Sequence, residues 1–162
     1  MKIFKNKKVL IGIGVAIVAI ILCILAVLSF RKNPYSGKQS IDRFYYNKPA
    51  GVKKEDTDSG TFESGIKWNS VQYTMKGFIL YVTRYQNRSV ENGVAKTGKL
   101  KDKTIEGVAY KYSEEKLDEE FTLKRYYTQV GNDTYAIMAV YKTSKENDEK
   151  LEEFLSSIII QK

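Results

Sequence analysis

Residues 9–30, VLIGIGVAIVAIILCILAVLSF, run for 22 positions without a charge, and fifteen of them are Val, Ile, Leu or Phe. A stretch this apolar has no polar face to turn toward water, so it cannot be one layer of an ordinary soluble domain. As a helix it would be about 33 Å long, against a hydrocarbon core of about 30 Å. At about 0.3–0.6 kcal/mol per large aliphatic residue, insertion is favoured by about 5–9 kcal/mol. A removable signal would have a shorter apolar region ending in small residues, whereas this one closes in Leu28-Ser29-Phe30. Leu22 also stands where processing before Cys23 would want a small residue. The run therefore predicts an uncleaved transmembrane helix over 9–30, behind a basic cytoplasmic tail at 1–8. A linker at 31–40, broken by Pro34 and Gly37, leads to an extracytoplasmic domain at 41–162. Lys2, Lys5, Lys7 and Lys8 before the run nearly balance Arg31, Lys32, Lys38 and Arg43 after it. The short tail sets the orientation: N-terminus in, domain out, in the cell membrane of a bacterium.

The net charge of +8 suggests nucleic acid until it is divided along the chain. Residues 1–34 hold six Lys or Arg and no acid, leaving 21 basic against 19 acidic residues beyond them. That remainder lacks the strongly basic footprint of a duplex binder, so no nucleic-acid partner is expected. Lys96, Lys99, Lys101 and Lys103 form a local basic run that reads as a solvated loop. The single Cys lies within the apolar run and there is no His. Ser-His-Asp and Cys-His catalysis are excluded, as are His-ligated zinc and iron centres.

Beyond the linker, Phe44, Tyr45 and Tyr46 precede a Pro-Ala-Gly turn and read as packed aromatics. SVQYTM (70–75) and FILYVTRY (78–85) are rich in β-branched and aromatic residues, with a Lys76-Gly77 turn between them. Apolar groups alternate onto both faces of 78–85, predicting a central strand covered on both sides. Residues 86–103, turn-rich and irregular, predict the longest loop and the first surface to probe for a partner. IEGVAYKY (105–112) predicts a further strand, SEEKLDEE (113–120) an exposed acidic turn, and FTLKRYYTQV (121–130) with TYAIMAVYK (134–142) a long hairpin around Gly131-Asn132-Asp133. Thr143-Ser-Lys-Glu146 fits a capping box, and Leu151, Phe154, Leu155 and Ile158 recur at helical spacing. A C-terminal helix over 144–158 should therefore lie on the hairpin.

Apparent motifs carry little chemistry. Ser64-Gly-Ile-Lys67, Tyr85-Gln-Asn87 and Lys96-Thr97-Gly98 match the elements of penicillin-recognising serine enzymes, but all fall within 35 residues, and a Ser-Lys hydrolase is only a remote reading. Glu55-Asp-Thr-Asp-Ser-Gly60 has its Gly one position early for a calcium loop and reads as a solvated turn. Glu114, Glu115, Asp118, Glu119 and Glu120 offer carboxylates that nothing places in a cleft, and Trp68 reads as a core or edge aromatic. No catalytic, metal, cofactor or partner-binding residue is assigned.

FYYNKPAGVKKED (44–56), the paired strands around W-x-x-V-x-Y (68–73), YYTQVGNDTYAIMAVYK (126–142) and LEEFLSSI (151–158) together resemble the PsbP-like superfamily, including its bacterial DcrB-type members. The resemblance implies an α+β fold, an α/β/α sandwich around an antiparallel sheet, and a non-enzymatic role docking on larger membrane assemblies. The expectation is thus a single-pass membrane-anchored, extracytoplasmic binding or assembly module that takes no cofactor and no small-molecule substrate. Its partners would be other membrane or envelope proteins. A structural subunit of a secretion, conjugation or sporulation apparatus is the alternative; such a fold would place helices before strands.

Overall fold

A computed structural model describes residues 33–90 and 100–161. The chain divides into two units, Met1–Ser36 and Gly37–Lys162. The second is built on a seven-stranded antiparallel sheet in the order β3-β4-β5-β9-β8-β7-β6. Its strands are β3 (Lys54–Thr61), β4 (Lys67–Met75), β5 (Phe78–Tyr85), β6 (Lys101–Ile105), β7 (Val108–Lys116), β8 (Phe121–Val130) and β9 (Asp133–Lys142). A smaller sheet, β1-β2-β10, joins β1 (Gln39–Ile41) and β2 (Phe44–Tyr46) to β10 (Ile159–Ile160) near the C-terminus. The single helix among the described residues, α1 (Lys145–Ser156), follows β9 directly.

The hairpin and helix expected at the C-terminal end form where their periodicity places them. β8 and β9 pair along their whole length, from Phe121↔Lys142 to Val130↔Asp133. β9 sends Tyr135, Ile137, Ala139 and Tyr141 into the core, and α1 lays Leu151, Phe154 and Leu155 over them, all in one buried cluster with Ile158. The N-cap is Ser144, whose hydroxyl accepts from the Asn147 N–H at 3.2 Å. Thr143, expected as the cap, instead hydrogen-bonds Thr122 of β8 at 2.7 Å. The small sheet closes the same side: Phe44 stacks on Tyr135 with centroids 4.8 Å apart, and Tyr46 meets Phe154 at 5.4 Å. Six of the largest fully buried side chains are tyrosines. Where two of them meet inside the core, the Tyr46 and Tyr73 hydroxyls hydrogen-bond each other at 3.2 Å.

Several expectations are corrected. The fold is not an α+β sandwich with helices on both faces. Of the described residues, 56 % are strand and 10 % helix, a mostly-β architecture with one helix on one face. The transmembrane segment expected at Val9–Phe30 lies outside the described residues, and among those described no helix is long and apolar enough to cross a membrane. The N-terminal membrane helix, the single-pass topology and the cytoplasmic-membrane location that followed from it are therefore withdrawn.

Locally, IEGVAYKY is not one strand. Glu106 and Gly107 both adopt positive φ, 47° and 79°, the conformation that suits a two-residue hairpin turn to strand twist. Residues 101–103, expected as loop, thereby join strand β6. Residues 113–116, Ser-Glu-Glu-Lys, extend β7 rather than forming a turn, because β8 offers them a partner. Glu55–Gly60 is edge strand β3, not a turn. Its charged residues suit an edge that must not pair with other chains.

Candidate interaction surface

Period-two alternation gives the large sheet two faces, and the registers identify them. On one, Phe78, Leu80 and Val82 of β5 lie beside Tyr141, Ala139 and Ile137 of β9. This face carries α1 and the small sheet. On the other, Ile79 pairs with Val140 and Tyr81 with Met138, all half-buried, and Leu123 of β8 adjoins Val140. Every described helix or strand outside the large sheet packs on the first face. The second face is open at its centre among the described residues.

An aromatic corner bounds this open face. Trp68 and Tyr85 are cross-strand partners on β4 and β5, and Phe62 lies 6.1 Å and 6.3 Å from their ring centroids. Phe62 is 46 % exposed, one of two large apolar side chains so exposed among those described. Gly60 lets this corner form: a Cβ there would come within 3.1 Å of three atoms of the Trp68 indole. Trp68 thus lies across the edge-strand backbone where a side chain would otherwise stand. On the β8 side, Val90, Tyr127 and Ala136 form a second small cluster with Tyr85 and Leu100.

Most of the charge on the open face is paired within it. Lys54 pairs with Asp56 at 2.9 Å, Lys111 with Asp102 at 2.8 Å, and Arg125 with Glu115 at 3.1 Å. Ser70 and Thr83 satisfy each other at 2.8 Å. What remains is a near-neutral surface with an apolar centre, in contrast to the loops of mixed charge around it.

The polar clusters on the roofed side act as clamps. Asp148 at the start of α1 accepts from Lys124 of β8 at 2.6 Å and from the Tyr141 hydroxyl at 2.5 Å. Partial burial opposes the Asp148 charge, but these two hydrogen bonds outweigh it and hold the carboxyl below its ordinary value. Arg84 donates to Asp133 through two nitrogens, at 2.8 Å and 2.6 Å, and reaches Asp42 in the β1–β2 turn at 3.3 Å. Burial pushes the neighbouring Tyr135 phenol up to about 12. Burial likewise raises Tyr46, Tyr73, Tyr110 and Tyr126. At neutral pH these phenols are protonated and Asp148 is ionised, an arrangement that fixes elements in place and leaves none of these groups poised to exchange a proton.

The sequence motifs fall as follows. Ser64 is exposed in the β3–β4 turn and Lys67 is exposed at the start of β4; the β4–β5 hairpin brings Lys67 near Tyr85, through the Gln86 N–H to Lys67 carbonyl bond of 2.9 Å. Lys96-Thr97-Gly98 lies outside the described residues, as does half of the 86–103 segment, residues 91–99. Of the carboxylates of 55–60, Asp56 and Asp58 share one face of β3 and Glu55 takes the other, so the three do not gather at one point. Glu114 and Glu115 are split the same way on β7. Among the described residues, no three or more His, Cys, Asp or Glu come together as a possible metal site. Between α1, β4 and β5 a cavity of about 60 Å³ is floored by Met75, Phe78 and Phe154, room for a water or two. The open face itself was missed. Its signal was the apolar alternation on both faces of 78–85 and 134–142, taken as burial within one chain.

Neither a family model nor a curated protein matches this chain. A crystal structure at 1.50 Å resolution of a protein from Bacteroides thetaiotaomicron VPI-5482 is similar to it, with a TM-score of 0.51 and 13 % identity. The match covers 79 % of this chain and 49 % of that one, so the chain spans about half the length of the solved structure. At that identity the likeness shows the fold alone.

Proposed function

We propose that the chain is a non-enzymatic binding or assembly module that docks on other proteins through the open face of its large sheet. One observation carries the reading: Ile79, Tyr81, Met138 and Val140 keep an apolar centre on a face that no described helix or strand covers. Contiguous apolar surface of this kind, rimmed by paired charges, marks protein-interaction sites. The resemblance to the PsbP-like superfamily points the same way, toward docking rather than chemistry. The described order, strands first and helix near the end, speaks against the alternative of a helix-first apparatus subunit. Ser64 on the β3–β4 turn and Lys67 at the start of β4 are both exposed and offer no enclosed site for a Ser-Lys hydrolase.

The test is a photo-crosslinking amino acid placed at Tyr81 in the full chain in its native cells, with Glu149 on the exposed side of α1 as the control position. A discrete adduct from position 81 and none from 149 is the expected result. Equal labelling from the two positions, or none from either, removes the reading.

A further inference from the structure

The nature of the partner can be taken further. We infer that the open face docks on a second copy of this chain, face to face about a twofold axis running along β9; this rests on the reading that the face is a docking surface.

Charge supports the assignment first. A twofold interface sets a patch against its own image, so any unbalanced charge would oppose itself. Here Lys54–Asp56, Lys111–Asp102 and Arg125–Glu115 are each neutralised within the face, which can therefore meet its image without like-charge repulsion. A polyanion or a strongly charged protein would find no net charge to bind.

Strand order comes second. β9 is the middle of the seven strands, with three on either side. An axis along β9 sets β5 of one copy over β8 of the other and brings Met138 close to its own image. The register fixes heights: Ile79 is level with Val140 and Leu123, and Tyr81 with Met138 and Arg125. Leu123 is already buried within its own chain, so Ile79 lies over β8 of the second copy close to the half-buried Val140, and Tyr81 presents its ring to Arg125 of the second copy, a favourable guanidinium–aromatic pairing.

Size comes third. Five central strands at about 4.8 Å spacing and eight residues at about 3.3 Å give a footprint of about 24 Å by 26 Å. Two such footprints total about 1,250 Å², within the range of specific protein interfaces. Aligned sheets packed face to face lie about 10 Å apart, as in a β-sandwich.

The full chain, held in mild detergent so that residues 9–30 stay dispersed, is carried as Cys23→Ser with Met138→Cys and treated with a bifunctional maleimide spanning about 10 Å. A covalent dimer is expected, with none from Glu149→Cys on α1. Sedimentation equilibrium at tens of micromolar should show a dimer for the native sequence. Met138→Asp should weaken it at least about tenfold, with its circular dichroism and melting temperature confirming that it remains folded. A native chain that stays monomeric, a dimer indifferent to Met138→Asp, or equal crosslinking from position 149 overturns the assignment. If the chain is monomeric while the photo-crosslinker at Tyr81 still captures one distinct polypeptide, only the second-copy partner falls. If position 81 captures nothing, the docking reading falls with it.

Discussion

On β9, Tyr135, Ile137, Ala139 and Tyr141 face α1 and lie in the core, while Met138 and Val140, one residue out of step, face the other way and remain half-buried. Similar side chains on a single strand thus meet different fates. What separates them is the supply of covering elements: α1 and the small sheet are both delivered to one face, because the chain leaves β9 into α1 and returns through β10 to β2. The lesson is that apolar character on both sides of a strand shows that both sides would gain from burial, and says nothing about whether this chain or another provides it.

That contrast can be broken experimentally. The largest effect belongs to the roof. Phe154→Ala should cost about 3–5 kcal/mol in chemical denaturation, since Phe154 is buried between the helix and Tyr46. An unchanged midpoint would mean that α1 does not hold the core. Next is the clamp that ties the small sheet down: Arg84→Ala leaves Asp133 half-buried without its two charged hydrogen bonds and should cost about 2 kcal/mol. On the open face, Tyr81→Ser should change stability by less than about 1 kcal/mol. A loss as large as that of Phe154→Ala would show that the open face is covered within the folded chain and is not a docking surface.

The smallest effect depends on pH. Asp148 is held below its ordinary value of 3.8 by Lys124 and Tyr141 against the cost of burial. The stability it contributes is complete above the ordinary value and is lost as pH falls through the lower folded one. Its side chain is 43 % exposed, so solvent screening limits the contribution to less than about 1 kcal/mol. Thermal melts should show the native chain above Asp148→Asn at pH 7, with the gap closing below about pH 4. A gap that widened on acidification would place the clamp elsewhere.

The strongly patterned half of the fold was legible. Residues 78–85 and 121–142 alternate with β-branched and aromatic residues, and 151–158 repeat at helical spacing, so β5, β8, β9 and α1 fall where expected. The edge strands were not legible. KEDTDSGT and KDKTI carry hardly any apolar residue, because an edge strand that is mostly solvated needs none, and their extended form is imposed by neighbours β4 and β7. β1, β2 and β10 were missed because three-residue and two-residue strands from opposite ends of the domain have no pattern long enough to read. The candidate surface was half visible, as apolar alternation, but its exposure was not.

By itself the sequence determined local conformation wherever the apolar period or a turn residue was decisive: the hairpins at Gly77 and Gly131, the helix after Ser144, and the catalytic chemistries removed by the absence of His. Tertiary structure decided which face of the sheet received a roof, where the edges lay, and that Trp68 could rest on Gly60. Those outcomes depend on contacts between residues far apart along the chain, and the free energy of burial is the same whichever surface provides the cover.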